Sequence, residues 1–290
     1  MKTKLNMDLD QYRDLIKMLN EGIYKYAENQ GIDLNNVKDL ISFCSSMKKI
    51  KLGKKTTEIL LDGIMNYDVG DRIILKFIDL EGISFADKCV RRIDFRGTNA
   101  DIDPQTVKDK NIEGAIFEGI DMSDKCFDGC VICHTNLRYT NAKINPQKVY
   151  DKDLSQTKCD GLDLQDANFK DVFVEGASFK NAKINLDPQT VAGKNLEGTN
   201  FENVDMSDKD FNGCNIAYCN LTNTNAVLNL QYLNINELWG CKLQGTTLLV
   251  GEGFNKEQLK KQYVELGQVK LNDYTKIKRK IKSIFKTINR

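Results

Sequence analysis

Cys130-Val131-Ile132-Cys133-His134 is the stretch of this chain most suggestive of chemistry. Two thiols three residues apart and a following histidine are the spacing that attaches a c-type haem, and Cys126 just upstream invites a metal reading as well. His134 is the only histidine in 290 residues. No serine-histidine-acid set, glycine-rich phosphate loop or metal-ligand cluster accompanies it, which weakens enzymatic readings. Two charged series remain. Asp79, Asp121, Asp163 and Asp205 stand 42 residues apart, and so do Lys110, Lys152 and Lys194.

That spacing belongs to the whole chain. The three prolines, Pro104, Pro146 and Pro188, are also 42 residues apart, each followed by glutamine: Gln105, Gln147 and Gln189. The text Asp103-Pro104-Gln105-Thr106-Val107 returns as Asn145-Pro146-Gln147-Lys148-Val149 and as Asp187-Pro188-Gln189-Thr190-Val191. Asp121-Met122-Ser123-Asp124-Lys125 returns two periods later at 205–209. An internal period of this length predicts a solenoid. Within each period apolar residues recur every fifth position, from Leu75 to Leu248, with two extra residues at each Pro-Gln segment. Neither a helix nor an ordinary strand has a period of five.

Ala167-Asn168-Phe169-Lys170-Asp171, Ala177-Ser178-Phe179-Lys180-Asn181 and Thr199-Asn200-Phe201-Glu202-Asn203 have a small residue, then a short polar residue, then Phe. The pattern resembles the pentapeptide-repeat family over about residues 73–250. The resemblance implies a mainly β fold, a right-handed quadrilateral β-helix in which four pentapeptides make one coil. Sorted onto four faces, the comb places Phe85, Phe127, Phe169 and Phe211 on the first face, alternating with Val or Leu. Phe117 and Phe201 fall on the third. Coils with Phe on the first face mostly have Ala on the fourth, as Phe127 has Ala142, while Val107 has Met122. A close-packed interior requires such volume exchange. The 34 comb positions make about eight coils, a rod roughly 41 Å long at ~4.8 Å per rung.

This register reassigns the candidate chemistry. Cys130 lies two before the comb residue Ile132 and points inward, whereas Cys133 lies one after it and points outward. His134 aligns with Gly176 and Tyr218 at a corner. No cofactor, metal or catalytic residue is therefore expected. The four aspartates form an outward row whose members are about 9.6 Å apart, too far to share a proton or one ion. The Pro-Gln corners are structural, with proline fixing one turn dihedral and glutamine free to bond the neighbouring backbone.

Residues 1–70 read as an α-helical N-terminal cap, with a stripe at Leu9, Tyr12, Ile16, Leu19, Ile23 and Tyr26; residues 71–253 read as the β-helix. Residues 254–290 read as an α-helical C-terminal segment: a short helix over Lys256–Leu266, then an amphipathic one from about Asp273. The latter sets Ile277, Ile281, Ile284 and Phe285 against Lys276, Lys278, Arg279, Lys280 and Lys282. A β-helix needs caps because its end coils expose unpaired backbone. No apolar run approaches the ~20 residues of a membrane span, the first residues lack the apolar core of a secretory signal, and nine cysteines fit reduced thiols in a cytoplasm.

The net charge of +1 hides a segregation: residues 62–254 are net −10 and residues 255–290 net +8. The expected function is a non-enzymatic binding or adaptor protein presenting a rigid surface to another protein. The oligomeric state is left open, a dimer included. Two other readings compete. The second comes from the resemblance, since the best-known members of that family are acidic rods that imitate DNA, bind type II topoisomerases such as gyrase and protect them from quinolones. A 41 Å stretch of duplex has on the order of 24 charges, far more than a net −10, and the basic tail would repel a DNA-binding groove. The third reading is an adaptor whose basic C-terminal helix touches an anionic membrane or nucleic acid. The aspartate row and Lys276–Lys282 are the candidate contact residues for these partners.

Overall fold

The computed structural model describes residue 21 and residues 73–76, 78–251, 254–255, 257–261, 264 and 270–273. The chain forms two compact units, residues 1–151 and 152–290.

In the first unit, β1 (Ile73–Ile74) lies parallel to β2 (Ile93–Asp94), Ile73 opposite Ile93. Parallel bridges then join Asp94 to Ile116, Ile116 to Asn136 and Asn111 to Val131. Every step is 20 or 22 residues, so the chain returns beside itself after one coil; this is a β-helix. The five-residue period has a local cause. The carbonyls of Leu75, Leu80 and Phe85 accept from the N–H three residues on, at 3.2, 3.1 and 3.1 Å. Two residues after these and later comb positions stand Gly82, Asp87, Arg92 and Gly97, all with positive φ. A left-handed third residue is what a type II turn requires, and repeating it turns the backbone after every short ladder segment.

The interior holds the comb. Leu75, Phe95, Phe117 and Leu137 are fully buried. Phe95 stacks on Phe117 with centroids 5.4 Å apart, and Phe85 meets Phe95 edge-on at 5.5 Å.

The second unit repeats the arrangement. Bridges join Asp153 to Phe173, Lys158 to Ser178, Ser178 to Asn200, Asn195 to Asn215, Asn200 to Asn220 and Asn220 to Lys242. β3 (Asp163–Leu164) pairs parallel with β4 (Lys183–Ile184). Phe169 meets Phe179 edge-on and Phe179 stacks on Phe201, both with centroids 5.8 Å apart. Phe211 here, and Phe127 in the first unit, are buried as well, each 2% exposed.

Every comb position from Leu75 to Leu248 is buried except Ile184, which is half-buried. The exception lies where the two extra residues enter. Two positions further on, Leu186 is fully buried, and Ile102, Ile144 and Leu228 are buried at the matching places. The inserted residues thus add an inward apolar side chain where the regular comb has none, and beside Ile184 that side chain takes its place in the core.

The end of the second unit has a strand between the two expected C-terminal helices. β5 (Val227–Asn229), β6 (Thr247–Val250) and β7 (Lys270–Asp273) form one parallel sheet in that order. The ladder therefore gains a strand beyond the last comb residue. Within the helix expected at 256–266, Glu257–Lys260 is helical (α1), and residues 256, 262, 263, 265 and 266 lie outside the described residues. The expected N-terminal helices, apart from Glu21, which is helical, and the basic helix with Lys276, Lys278, Arg279, Lys280 and Lys282 lie outside the described residues.

Replacing Phe127 by Ala removes a ring from this interior and is expected to cost about 3–5 kcal/mol, read as a lowered midpoint in urea unfolding. A cost below about 1 kcal/mol would place the ring at the surface.

Candidate interaction surface

The Pro-Gln corners are hydrogen-bonded locks. In the first unit Thr106 N–H donates to Asp103 O (3.0 Å), with Pro104 at the second position of that turn, where its fixed φ is preformed. Asp103 Oδ1 takes the Gln105 N–H at 2.9 Å. The Gln105 amide then reaches across to the next coil, donating to the carbonyls of Cys126 (3.1 Å) and Asp128 (2.9 Å), with Cys130 Sγ 3.3 Å away. Lys110 Nζ holds its oxygen at 2.8 Å. The second unit builds the same lock: Gln189 donates to Asp210 O and Asn212 O at 3.0 and 2.9 Å, and Lys194 binds its oxygen at 2.7 Å. At Pro146, Asn145 accepts from the N–H groups of Gln147 (3.1 Å) and Lys148 (3.0 Å). The lysine series is thus spent in part on glutamine.

The Cys-x-x-Cys-His stretch is distributed by the register. Cys130 is buried, its thiol 3.5 Å from Pro104 O, and burial pushes that thiol up to about 11. Cys133 is half-buried and Cys126 exposed. His134 is exposed and occupies a left-handed turn position with φ 60°, as Gly176 and Tyr218 do in the second unit. Among the described residues no group of three or more His, Cys, Asp or Glu side chains is arranged to hold a metal ion. Two further buried thiols are structural donors: Cys219 to Leu196 O at 2.8 Å and Cys241 to Ile216 O at 2.9 Å. Thr135 and Thr199 serve in the same way, to Ile112 O and Val174 O.

The aspartates cap turns. Asp121, Asp163 and Asp205 are exposed and each accepts the N–H two residues on: Ser123 (3.1 Å), Gln165 (3.3 Å) and Ser207 (3.1 Å). The Ser123 N–H holds the Asp121 carboxyl below the usual range, and the Gln165 N–H, then Lys183, do so for Asp163. Asp79 is half-buried and accepts from Glu81 N–H (3.3 Å) and Asn99 Nδ2 (2.8 Å). The duplicated Asp-Met-Ser-Asp-Lys text is explained alike: its lysine reaches back 24 residues, Lys125 to Asp101 (2.6 Å) and Lys209 to Asn185 (2.7 Å).

The more distinctive surface was not singled out from the sequence. In the second unit Phe173, Tyr218, Tyr232 and Trp239 are exposed large side chains. Phe173 stands one before, and Trp239 one after, a comb residue, so the register alone marks them as outward. Tyr218 occupies a left-handed turn and its ring lies over Gly240, where an added Cβ would stand 2.5 Å from Cδ1. Between Phe173 and Trp239 runs a bonded set. Asn195 Nδ2 donates to Glu175 Oε2, and Asn215 Nδ2 donates to Asn195 Oδ1 and Glu197 Oε2, all at 3.1 Å. On a different face, the first unit has a charged ladder: Asp94 binds Arg96 (2.7 Å) and Lys76 (3.5 Å), and Arg96 stands 3.6 Å from Glu118.

These positions order the thiols by reactivity. At pH 8 a thiol with a pKa near 11 is roughly 0.1% thiolate. Iodoacetamide should therefore label exposed Cys126 in the native protein and leave Cys130 and Cys214 unlabelled until denaturant is added. Peptide mapping reads the outcome, and native labelling of Cys130 as fast as Cys126 would contradict its burial.

Residues 153–185 and 195–227 match the family model for pentapeptide repeats, in eight copies. No curated protein matches the chain. Among solved structures it is similar to a trypsin-treated variant of QnrB1, a plasmid-mediated fluoroquinolone resistance protein, at 13% identity over 71% of this chain and 93% of that one, with a TM-score of 0.17. The matched repeats coincide with the coils described above, bridged at 20- or 22-residue steps. Residues 153–185 and 195–227 are thus similar in sequence to pentapeptide repeats.

Proposed function

We propose that the chain is a non-enzymatic, cytoplasmic binding protein whose right-handed quadrilateral coils present outward side chains to a protein partner. The flanking residues 1–70 and 254–290 serve as caps. The observation that carries this reading is the set of exposed aromatic side chains on the second unit, Phe173 at 52%, Tyr218 at 55% and Trp239 at 37%. Their neighbours on this scaffold are short polar residues fixed by mutual hydrogen bonds. Aromatic side chains are enriched at protein interfaces because they supply contact area at little conformational cost.

Affinity capture from host lysate tests it, comparing wild type with the Phe173→Ser/Trp239→Ser double variant. The captured partner should be lost with the double variant. Identical capture by both proteins would contradict the reading.

DNA mimicry of a gyrase substrate requires a dense acidic surface, and the interspersed lysines here, such as Lys125, Lys148 and Lys183, are ion-paired with its aspartates. The protein should therefore give no protection of gyrase supercoiling against a quinolone at concentrations comparable to the enzyme. Clear rescue in that assay would replace the protein-scaffold reading with topoisomerase binding.

A further inference from the structure

The carboxylates of the second unit differ in their pairing. Glu202 is bound by Lys180 at 2.8 Å. In the first unit, Glu113 is bound by Arg91 at 2.8 Å. Glu175 and Glu197 occupy the same register position as Glu113, one after an inward comb residue, yet no described basic side chain pairs with either. They are held by the amides of Asn195 and Asn215, which fix the carboxylates without cancelling their charge. Lys194, at the corner leading into this face, is bound to Gln189.

Backbone bonds establish the order of the column. Gln156 N–H donates to Glu175 O (2.8 Å), Gly176 to Glu197 O (2.7 Å), Gly198 to Ala217 O (2.8 Å) and Tyr218 to Trp239 O (2.6 Å). Glu175, Glu197, Ala217 and Trp239 therefore stand on successive rungs. Phe173 precedes Glu175 by two residues on the first of them. The face thus reads aromatic, two ordered and unneutralised carboxylates, small residue, aromatic, with Tyr218 beside the last.

We propose that this face docks an extended basic peptide segment of a partner protein, with an arginine over Glu175 and Glu197 and apolar side chains on Phe173 and Trp239. The proposal deepens the protein-binding reading and rests on it. Charge complementarity selects the occupant. Fixed carboxylates repel phosphate, which disfavours nucleic acid and anionic lipid, and attract a guanidinium, whose plane can also stack on the neighbouring rings. Length agrees: three rungs separate Phe173 from Trp239, about 14 Å, and residues i and i+4 of an extended peptide lie on one side about 13 Å apart. The arginine then falls at i+2, about 7 Å along, beside Glu197 and with Glu175 within reach of its long side chain. Because asparagines already hold those carboxylates, little further ordering is needed on binding.

The test titrates the full-length protein with the acetylated, amidated peptide Leu-Ser-Arg-Ser-Leu while following the emission of Trp239, the only tryptophan. A saturable change is expected, at least tenfold weaker when citrulline replaces arginine, and similarly weakened in the Glu175→Gln/Glu197→Gln protein. The citrulline comparison uses the unaltered protein and does not depend on how the variant folds. Absence of a saturable change, equal binding of the citrulline peptide, or a stronger Trp239 response to anionic vesicles than to the peptide would each overturn the proposal. If the peptide fails while lysate capture still depends on Phe173 and Trp239, the arginine assignment falls and the protein-binding reading stands.

Discussion

Everything in this structure depends on one steric constraint: a side chain every five residues must share a narrow interior with those of the coils on either side. The turn that closes each segment needs a left-handed residue at its third position, and the interior needs a side chain of matched volume at its first. Both demands recur at a step of five, which is why Gly, Asn and Asp crowd the turns while Phe, Leu and Ile line the core. Where a longer residue takes the turn, the adjacent coil answers it, as Gly240 does under Tyr218.

Function is consequently left to the side chains that point away. The same register that buries Cys130 exposes Cys126 and sets His134 in a turn, so a motif that reads as one site in sequence is three separate positions in space. Polar residues beside the core mostly complete the scaffold: Asp121 caps Ser123, Gln105 and Gln189 tie coil to coil, and Cys219 stands in for threonine as a buried donor. Position relative to the interior, rather than residue type, decides what each group can do. By that criterion Glu175, Glu197, Phe173 and Trp239 are outward groups of the second unit that a partner can reach.

The comb, the phenylalanine core and the places of the Pro-Gln corners were legible because they rest on spacing alone, which a repeat states many times over; the lysines that join Gln105 and Gln189 were not. Leu186 was hidden: the two inserted residues shift which side chain points inward, and both Ile184 and Leu186 are apolar, so composition could not choose between them. β7 was hidden as well, because Lys270–Asp273 continues the ladder through backbone bonds without any comb residue to mark it. The outward face of the second unit was partly legible, since the register places Phe173 and Trp239 outside. The asparagine contacts that leave Glu175 and Glu197 unneutralised depend on which side chains meet across coils, and the spacing does not carry that information.

The claim that position in the coil decides each residue's role is tested most directly where the comb and the structure disagree. Urea unfolding of Leu186→Ala and of Ile184→Ala, measured side by side, distinguishes them. Leu186, fully buried, should cost about 2–5 kcal/mol, and half-buried Ile184 should cost clearly less. The opposite order would contradict the account.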